Sequence, residues 1–316
     1  MMRLAFFITL FALLVAACDT TTSSDHEDEV VVESYLVAGE AIPVVRLTLT
    51  TEITGRYDAS ELAIRNASVS ISLLAGAGGG RSNGSESVDS ELEIAYVHDE
   101  NRPGIYQPVD SHTILPERTY ALLATVPGYG NITAETIVPG TFSVRSVSAT
   151  SVQYQGPIRF EQNVTASAYP GRQSIFIFSL EALEPSIASL TPLYLDAIYE
   201  ISAGEEFDPN SLDVEKLGEF LQHPSPPINE GNYEVNPDGT LTIRLPWFAI
   251  VFYGQTRVHT NAIDDALFDF LRYQQVQQGG STLSPGEIPN VLDHVEGGRG
   301  IFGSYSHVSS VVEVLR

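Results

Sequence analysis

Hydrophobic and polar residues alternate in short runs from Val30 onward. The clearest case is the segment from Ala67 to Leu73, where apolar and polar side chains change places at nearly every position. Because a period of two puts successive side chains on opposite faces of a sheet, this pattern predicts a strand with one buried and one solvated face. Similar runs predict strands at residues 30–38, 43–51, 67–74, 92–98, 104–109, 118–126 and 132–138.

Seven short strands within about 110 residues are typical of a β-sandwich domain. We therefore expect a mainly β protein in which residues 30–140 form an immunoglobulin-like or carboxypeptidase-regulatory-like sandwich. Pro139 and Gly140 are turn residues and mark the predicted end of this domain.

Residues 141–316 predict a second β-rich domain with one or two short helices. Its strand patterns fall at residues 143–155, 158–168, 174–181, 194–202, 240–246, 248–259 and 301–315, and a weak helical pattern covers 211–221. A stronger helix is predicted at 262–278, with an apolar stripe made of Ile263, Ala266, Leu267, Phe270 and Leu271. Asn261 is the predicted cap of this helix, and Asp264 is predicted to lie in its first turn.

The N-terminal stretch has the parts of a bacterial lipoprotein signal. Arg3 precedes an apolar run over residues 4–16, and Ala16 and Ala17 are the small residues directly before Cys18. We expect residues 1–17 to be removed as a signal peptide and Cys18 to carry acyl chains such as palmitate. The alternative is an ordinary secretory signal in which the cysteine is incidental.

Residues 18–29 are predicted to form an acidic tether between the lipid and the folded part, because they are almost devoid of apolar side chains. Cys18 is the only cysteine of the chain, so an intramolecular disulfide is excluded. His26 lies among the acidic residues of this stretch. A hydrated run of charged residues is a simpler interpretation of the cluster than a metal site.

The charge balance of the chain is strongly acidic. Its 16 Lys and Arg residues face 40 Asp and Glu residues, a formal net charge of −24 at pH 7. Nucleic acid and anionic lipid headgroups are poor partners for such a surface. Lys216 is the single lysine. Two interpretations remain open: adaptation to concentrated salt, which screens the repulsion between carboxylates, or a GC-rich genome that favours Arg codons.

Two glycine motifs match the letters of functional patterns. Residues 80–84 match the Gly-x-Ser-x-Gly elbow of hydrolases, but the predicted flexible loop before them and strand after them do not fit the strand-to-helix turn that this elbow needs. Residues 298–303 match Gly-x-Gly-x-x-Gly, but a predicted strand follows where a dinucleotide site needs a helix. We expect these latter glycines to permit a tight bend or close backbone packing.

The acidic and aromatic clusters favour structural roles. Residues 208–213 begin like a calcium loop but place Leu212 at a ligand position. Three aspartates, Asp264, Asp265 and Asp269, are interpreted as a helix cap and a solvated face. Four aromatic residues lie close together in the sequence and are expected to fill the core, with a ligand platform as the alternative: Trp247, Phe248, Phe252 and Tyr253. No catalytic residue, metal ligand or cofactor is predicted.

Several stretches occur in the order seen in a family of uncharacterised outer-membrane lipoproteins that share a domain of unknown function. The chain resembles that family at residues 30–36, 43–48, 104–106, 118–122 and 134–139, and in the closing glycine-rich and aromatic run within residues 290–306. Members of the family are often encoded beside TonB-dependent receptors, which implies a role in nutrient capture at the surface. The resemblance carries no catalytic residue over to this chain.

From these patterns we predict a non-catalytic outer-membrane lipoprotein, anchored through Cys18, that acts as an accessory or binding partner of a TonB-dependent nutrient transporter. Exposure at the cell surface is expected, with the periplasmic face of the membrane as the alternative. Two other functions stay open at this stage: a structural or adhesive envelope lipoprotein, and a surface glycan hydrolase, which would need two carboxylates about 5 to 10 Å apart in an aromatic cleft.

Overall fold

The protein is mainly β in a computed structural model that describes residues 27–51, 58–75, 90–201, 225–275 and 294–316. The strands are β1 Val30–Val37, β2 Val45–Leu49, β3 Ser68–Leu74, β4 Ser90–His98, β5 Ile105–Pro108, β6 Thr119–Val126, β7 Gly130–Ile137, β8 Val144–Val147, β9 Ser151–Gln153, β10 Glu161–Val164, β11 Phe176–Ala182, β12 Glu234–Val235, β13 Leu241–Arg244, β14 Gly254–Ile263, β15 Val295–Glu296 and β16 Arg299–Leu315. The helices are α1 Pro192–Ile201 and α2 Asp265–Gln275. The predicted signal peptide with Cys18, the Gly-x-Ser-x-Gly motif and the 211–221 helix lie outside the described residues.

Two sheets make up the described part of the chain. The larger is a curled sheet of 12 strands in the order β11-β14-β16-β1-β2-β5-β4-β3-β6-β7-β15, with β9 pairing β16 off this path. The smaller sheet has four strands in the order β12-β13-β10-β8. The predicted mainly β architecture with short helices is therefore confirmed.

The seven strands expected within residues 30–140 are all present, at nearly the predicted positions. Buried and half-buried side chains alternate along β1, as the period-two pattern requires. The apolar face of these strands encloses one hydrophobic core, in which Tyr120, Leu122 and Phe302 are at most 1% exposed. The last of these residues comes from β16, at the opposite end of the sequence.

Strand β16 pairs with strands from both predicted domains. It runs parallel to β1, with Tyr35 opposite Gly303, and antiparallel to β14, with Ile263 opposite Tyr305. The sheet thus continues across the boundary expected at residue 140, and that boundary stays a prediction. This long strand also brings the groove described below together, because it lies between β1 of the first half and β14 of the second.

The glycines of the Gly-x-Gly-x-x-Gly motif permit close backbone packing, as expected from the sequence. A Cβ atom on Gly298 would lie 2.6 Å from the carbonyl oxygen of Val30. Gly300 has a φ of +110°, and a Cβ there would collide with the backbone of Val32. The residues that follow form β16 and not a helix. These glycines therefore allow β16 to lie against β1.

The second half departs from the predicted pattern in three places. The strand expected at 143–155 is divided into β8 and β9, which pair with different sheets. Residues 194–202 were expected to form a strand, but α1 covers most of them; Thr191 followed by Pro192 is a helix-start signal that the apolar and aromatic content outweighed. The strand expected at 248–259 begins only at Gly254, because a 3-10 turn covers Trp247–Ala249. Within the described residues, no helix has the length and apolar character to cross a membrane.

Helix α2 begins three residues later than the predicted bound of 262. Asn261 belongs to β14, so its assignment as the cap was wrong. Asp264 caps the helix instead: its Oδ1 atom accepts a hydrogen bond from the backbone N–H of Leu267 at 2.8 Å. The strand pairing of Asn261 with Ile177 and His307 takes it out of the helix, which sequence spacing did not reveal. Residues 276–278 lie outside the described part of the chain.

Candidate functional site

The three aspartates near α2 are used in structural contacts. Asp264 is buried, and its Oδ2 atom accepts hydrogen bonds from the Thr136 hydroxyl at 2.5 Å and from the Ser304 N–H at 3.0 Å. Asp265 pairs with Arg172 at 2.6 Å and Asp269 with His294 at 2.8 Å. Burial raises the pKa of Asp264 to about 6, against the hydrogen bonds that lower it. This carboxyl group therefore joins α2 to β7 and β16.

A groove lies between α2 and the face of the large sheet formed by β11, β14, β16 and β1. We call it the helix groove. Its apolar floor consists of Ile177 and Ile263 from the sheet and Leu267 and Leu271 from the helix. These positions belong to the apolar stripe predicted for α2 and to the alternating pattern of the strands, which is why the helix packs here.

Aromatic side chains form the rim of the helix groove. Tyr35 comes from β1, Tyr305 from β16 and Phe270 from α2, and all three pack against the buried cluster under the helix. Burial, followed by the carboxylate of Glu33, raises the pKa of Tyr35 to about 12. Burial also raises the pKa of Tyr305. Both phenols are thus neutral at physiological pH and present hydroxyl groups beside an apolar surface.

Two neutral polar side chains lie on the sheet side of the helix groove. Asn261 of β14 is 7% exposed, and its Nδ2 atom donates a hydrogen bond to Oγ of Ser179 on β11 at 3.2 Å. Both residues line the groove. No local pattern indicates this pair, because two positions 82 residues apart become neighbours only through the pairing of β11 with β14.

The helix groove has a volume of about 340 Å³, near the lower end of the range in which small-molecule sites occur. Ligand sites typically combine an apolar lining with a few converging polar groups, and this groove has both. Its polar groups are an amide, a hydroxyl and two neutral phenols, which suit binding by hydrogen bonds and shape. Among the described residues, no group of three or more His, Cys, Asp or Glu side chains is placed to hold a metal ion.

A charged stripe continues along the same sheet face beyond the groove. Glu181 of β11 accepts a hydrogen bond from Arg257 at 2.6 Å and lies 3.3 Å from Nε2 of His259. The ring of His259 lies 6.3 Å from that of His307, which in turn lies 6.2 Å from Tyr305 on the groove rim. The pKa of Glu181 is below its ordinary value, since these hydrogen bonds outweigh the effect of burial. The open end of the groove is therefore polar.

The four neighbouring aromatic residues of the second half do not line the helix groove. Phe252 is buried. Trp247 and Tyr253 pack at the edge of the hydrophobic core that lies between the small sheet and the large one, where both rings lie edge-on to Tyr154. Phe248 is 49% exposed. The expectation that they fill the core holds for Phe252 and, at the core's edge, for Trp247 and Tyr253, whereas Phe248 faces solvent.

A second hollow lies beside Tyr169 and Arg172, on the other side of the start of α2. The guanidinium group of Arg172 donates to Asp265 and to the backbone carbonyls of Gln173 and Ile263. It also lies 3.8 Å above the ring of Tyr169. Since these contacts occupy one face and the N–H groups of this cation, the hollow is a weaker candidate than the helix groove.

These features describe a mainly β protein with one amphipathic helix laid over a sheet and a ligand-sized groove beneath it. The chain belongs to the DUF4249 family, described as a domain of unknown function, whose model matches residues 17–310. The predicted membership of a family of unknown function is thereby confirmed. No curated protein matches the chain.

Among solved structures, the chain is similar to the extracellular cadherin domains 3–6 of protocadherin gamma B2. The alignment has 14% sequence identity and a TM-score of 0.17. It covers 91% of this chain and 50% of that chain, so the protein spans half the length of that structure. At this TM-score the alignment says nothing about the fold or function of the chain.

Proposed function

We propose that this protein is a non-catalytic outer-membrane lipoprotein that binds a ligand in the helix groove and serves as an accessory partner of a TonB-dependent nutrient transporter. The observation that carries the binding role is the buried amide of Asn261 beside the apolar floor of the groove. Placing a polar group in apolar surroundings costs free energy. A role in ligand binding explains why such a group is present in this groove.

The lipid anchor is supported by the residues around Cys18. Small residues directly precede this sole cysteine after an apolar run. Residues 18–29 would span up to about 40 Å if fully extended, at about 3.5 Å per residue. A folded body that starts at β1 could therefore work at some distance from the lipid while it stays attached to the membrane.

Metabolic labelling tests the anchor. Cells that express the full chain are grown with radiolabelled palmitate, with and without globomycin, beside a Cys18→Ala variant. We expect label in the native protein alone and accumulation of the unprocessed form with globomycin. Unlabelled native protein that matures normally in the presence of globomycin would identify an ordinary secretory signal and overturn the anchor.

Co-purification tests the partner. A tagged full chain is isolated from outer membranes of its native host after mild crosslinking, and an unrelated tagged lipoprotein of the same membrane is the control. Enrichment of a TonB-dependent receptor with the native chain only is the expected result. If no receptor is enriched and deletion of the gene impairs attachment or envelope integrity without affecting growth on any nutrient, the structural or adhesive function replaces this proposal.

A further inference from the structure

The amide of Asn261 has one hydrogen-bonding end satisfied and the other open. Its Nδ2 atom donates to Ser179, but no donor within the described residues reaches its Oδ1 atom. The side chain is 93% removed from solvent, since the residue is 7% exposed, and it lines the helix groove. This Oδ1 atom is not among the fully buried side-chain atoms of the described residues that lack a partner, so it reaches solvent in the groove, and the N–H of a ligand can take the place of water there.

Ser179 complements this acceptor with a donor. Its Oγ atom accepts the hydrogen bond from Asn261, and the described residues offer no acceptor for its own proton. The hydroxyl proton is therefore free to turn toward the groove. Together the two side chains present one acceptor and one donor, on adjacent strands, to whatever occupies the groove.

The charge of the lining selects against ions. None of the described lining residues is a Lys, Arg, His, Asp or Glu. A carboxylate or an ammonium group placed against the apolar floor would lose its hydration without gaining an opposite charge. The lining also offers few hydrogen-bonding groups, which disfavours a ligand with many hydroxyls such as a free sugar.

We propose that the helix groove binds a small neutral molecule in which an apolar ring or branched alkyl group is joined to an amide. The amide N–H would donate to Oδ1 of Asn261 and the amide carbonyl would accept from Oγ of Ser179. The apolar group would lie on Leu267 and Leu271, with its edge against the ring of Phe270. An end-capped apolar amino acid or a short uncharged peptide has this chemistry. The inference rests on the proposed role of the groove as a binding site.

Calorimetric titration of the detergent-solubilised full chain tests the ligand class. The probes are N-acetylphenylalaninamide, its free-acid counterpart N-acetylphenylalanine, and ethylbenzene, which keeps the ring and lacks the amide. We expect the amide to bind roughly tenfold or more tightly than either matched probe. Equal affinity for the free acid, or no binding of the amide to the folded protein, would overturn the inference.

Variants locate the site. Asn261→Leu keeps the side-chain volume and removes the polar pair, and we expect it to weaken binding of the amide roughly tenfold while binding of ethylbenzene is unchanged or improved. Leu267→Trp should abolish binding of both by filling the groove. Phe248→Ala is the matched control, because this exposed aromatic residue lies outside the groove. Circular dichroism melts confirm that each variant is folded.

The outcomes separate this inference from the proposed function. Amide binding that depends on Asn261 in a protein that recovers no receptor would retain the ligand class and remove the transporter role. Receptor recovery without amide binding would do the reverse. Self-association that buries Tyr35 and Phe270 and prevents binding would show that the occupant is a second copy of the chain, and would also overturn the inference.

Discussion

The two faces of the sheet segment β11-β14-β16 each bury an amide side chain against a different covering. One face is covered by the small sheet, whose Gln162 on β10 is 0% exposed and has both ends bonded to this face: it accepts from the Thr260 hydroxyl at 2.6 Å and donates to Ser310 at 2.8 Å. On the other face, under α2, the side chain of Asn261 is bonded at one end only within the described residues. We call these the closed face and the groove face. The difference teaches that the closed face satisfies its buried amide within the protein, whereas the groove face leaves an amide oxygen open to the groove.

The physical reason for the difference is the size of the covering element. Helix α2 has 11 residues, which gives it a length of about 16 Å at 1.5 Å per residue. Strand β16 has 17 residues, or about 56 Å at 3.3 Å per residue. The helix therefore covers only part of the groove face, and His307, Ser309 and Val311 beyond it are exposed. On the closed face, Phe178, Val258 and Val312 are completely buried.

The largest difference in stability between the closed face and the groove face should appear when one aromatic ring is removed from each. Phe178→Ala on the closed face should lower the free energy of unfolding by about 4 kcal/mol, since it leaves a cavity in a packed core. Phe270→Ala at the groove rim should cost about 1 kcal/mol or less, because this side chain is only partly buried. Denaturant unfolding of both variants measures the difference. Equal losses would mean that the groove face is as well packed as the closed face.

A second test compares two glycines with positive φ. At one of them an added methyl group would collide with the neighbouring backbone, and at the other only the backbone conformation opposes it. Gly300→Ala should destabilise the protein by about 3 kcal/mol, because the new methyl group would collide with Val32 and φ is positive there. Gly39→Ala is the matched control: its φ is +82°, but nothing lies within 4 Å of a Cβ. We expect it to cost about 1 kcal/mol. Similar thermal shifts for both variants would contradict close packing of β1 on β16.

Replacing each of the two buried amide side chains by leucine should have different effects on stability. Gln162→Leu should cost about 2 kcal/mol, because it leaves the buried Thr260 hydroxyl without its acceptor. Asn261→Leu should change stability by less than about 0.5 kcal/mol, or increase it, since it removes an acceptor to which no described residue donates. Chemical denaturation at one pH gives both values. A large loss for Asn261→Leu would show that this amide is structural and not reserved for a ligand.

The smallest effect concerns the cap of the helix that forms the groove. The pKa of Asp264 is raised by burial from 3.8 to about 6, so the folded protein favours the protonated carboxyl. The stabilisation that the protonated Asp264 side chain contributes is therefore complete below pH 4 and is lost as the pH rises through 6. Lowering the pH from 8 to 5 should stabilise the native protein by about 1 kcal/mol more than the Asp264→Asn variant.

Asp265→Asn is the control for that comparison, because this carboxylate is half-exposed and should give no such difference from the native protein. Urea unfolding at pH 5 and pH 8 provides the data. If native protein and the Asp264→Asn variant change in parallel with pH, the groove helix is not held by a protonatable cap.

Local pattern predicted the first seven strands because each has one solvated and one buried face, and that alternation is visible in the residues themselves. It also predicted the apolar stripe of α2 and the close packing at Gly298 and Gly300. It failed at α1, where Tyr194, Ile198 and Tyr199 are residue types that favour strands although Pro192 marks a helix start. In the second half, strands that are buried on both faces lose the alternation that fixes their ends.

The amino-acid sequence by itself determined the mainly β character, the positions of most strands and the amphipathic helix, because these depend on neighbouring residues. Only the tertiary structure decided which residues form the helix groove. Tyr35, Ser179, Asn261 and Tyr305 are far apart in the chain, and strand pairing places them on one sheet face. The physical reason is that pairing register is set by burial of whole faces against a distant partner, so a site that spans four strands has no local signature.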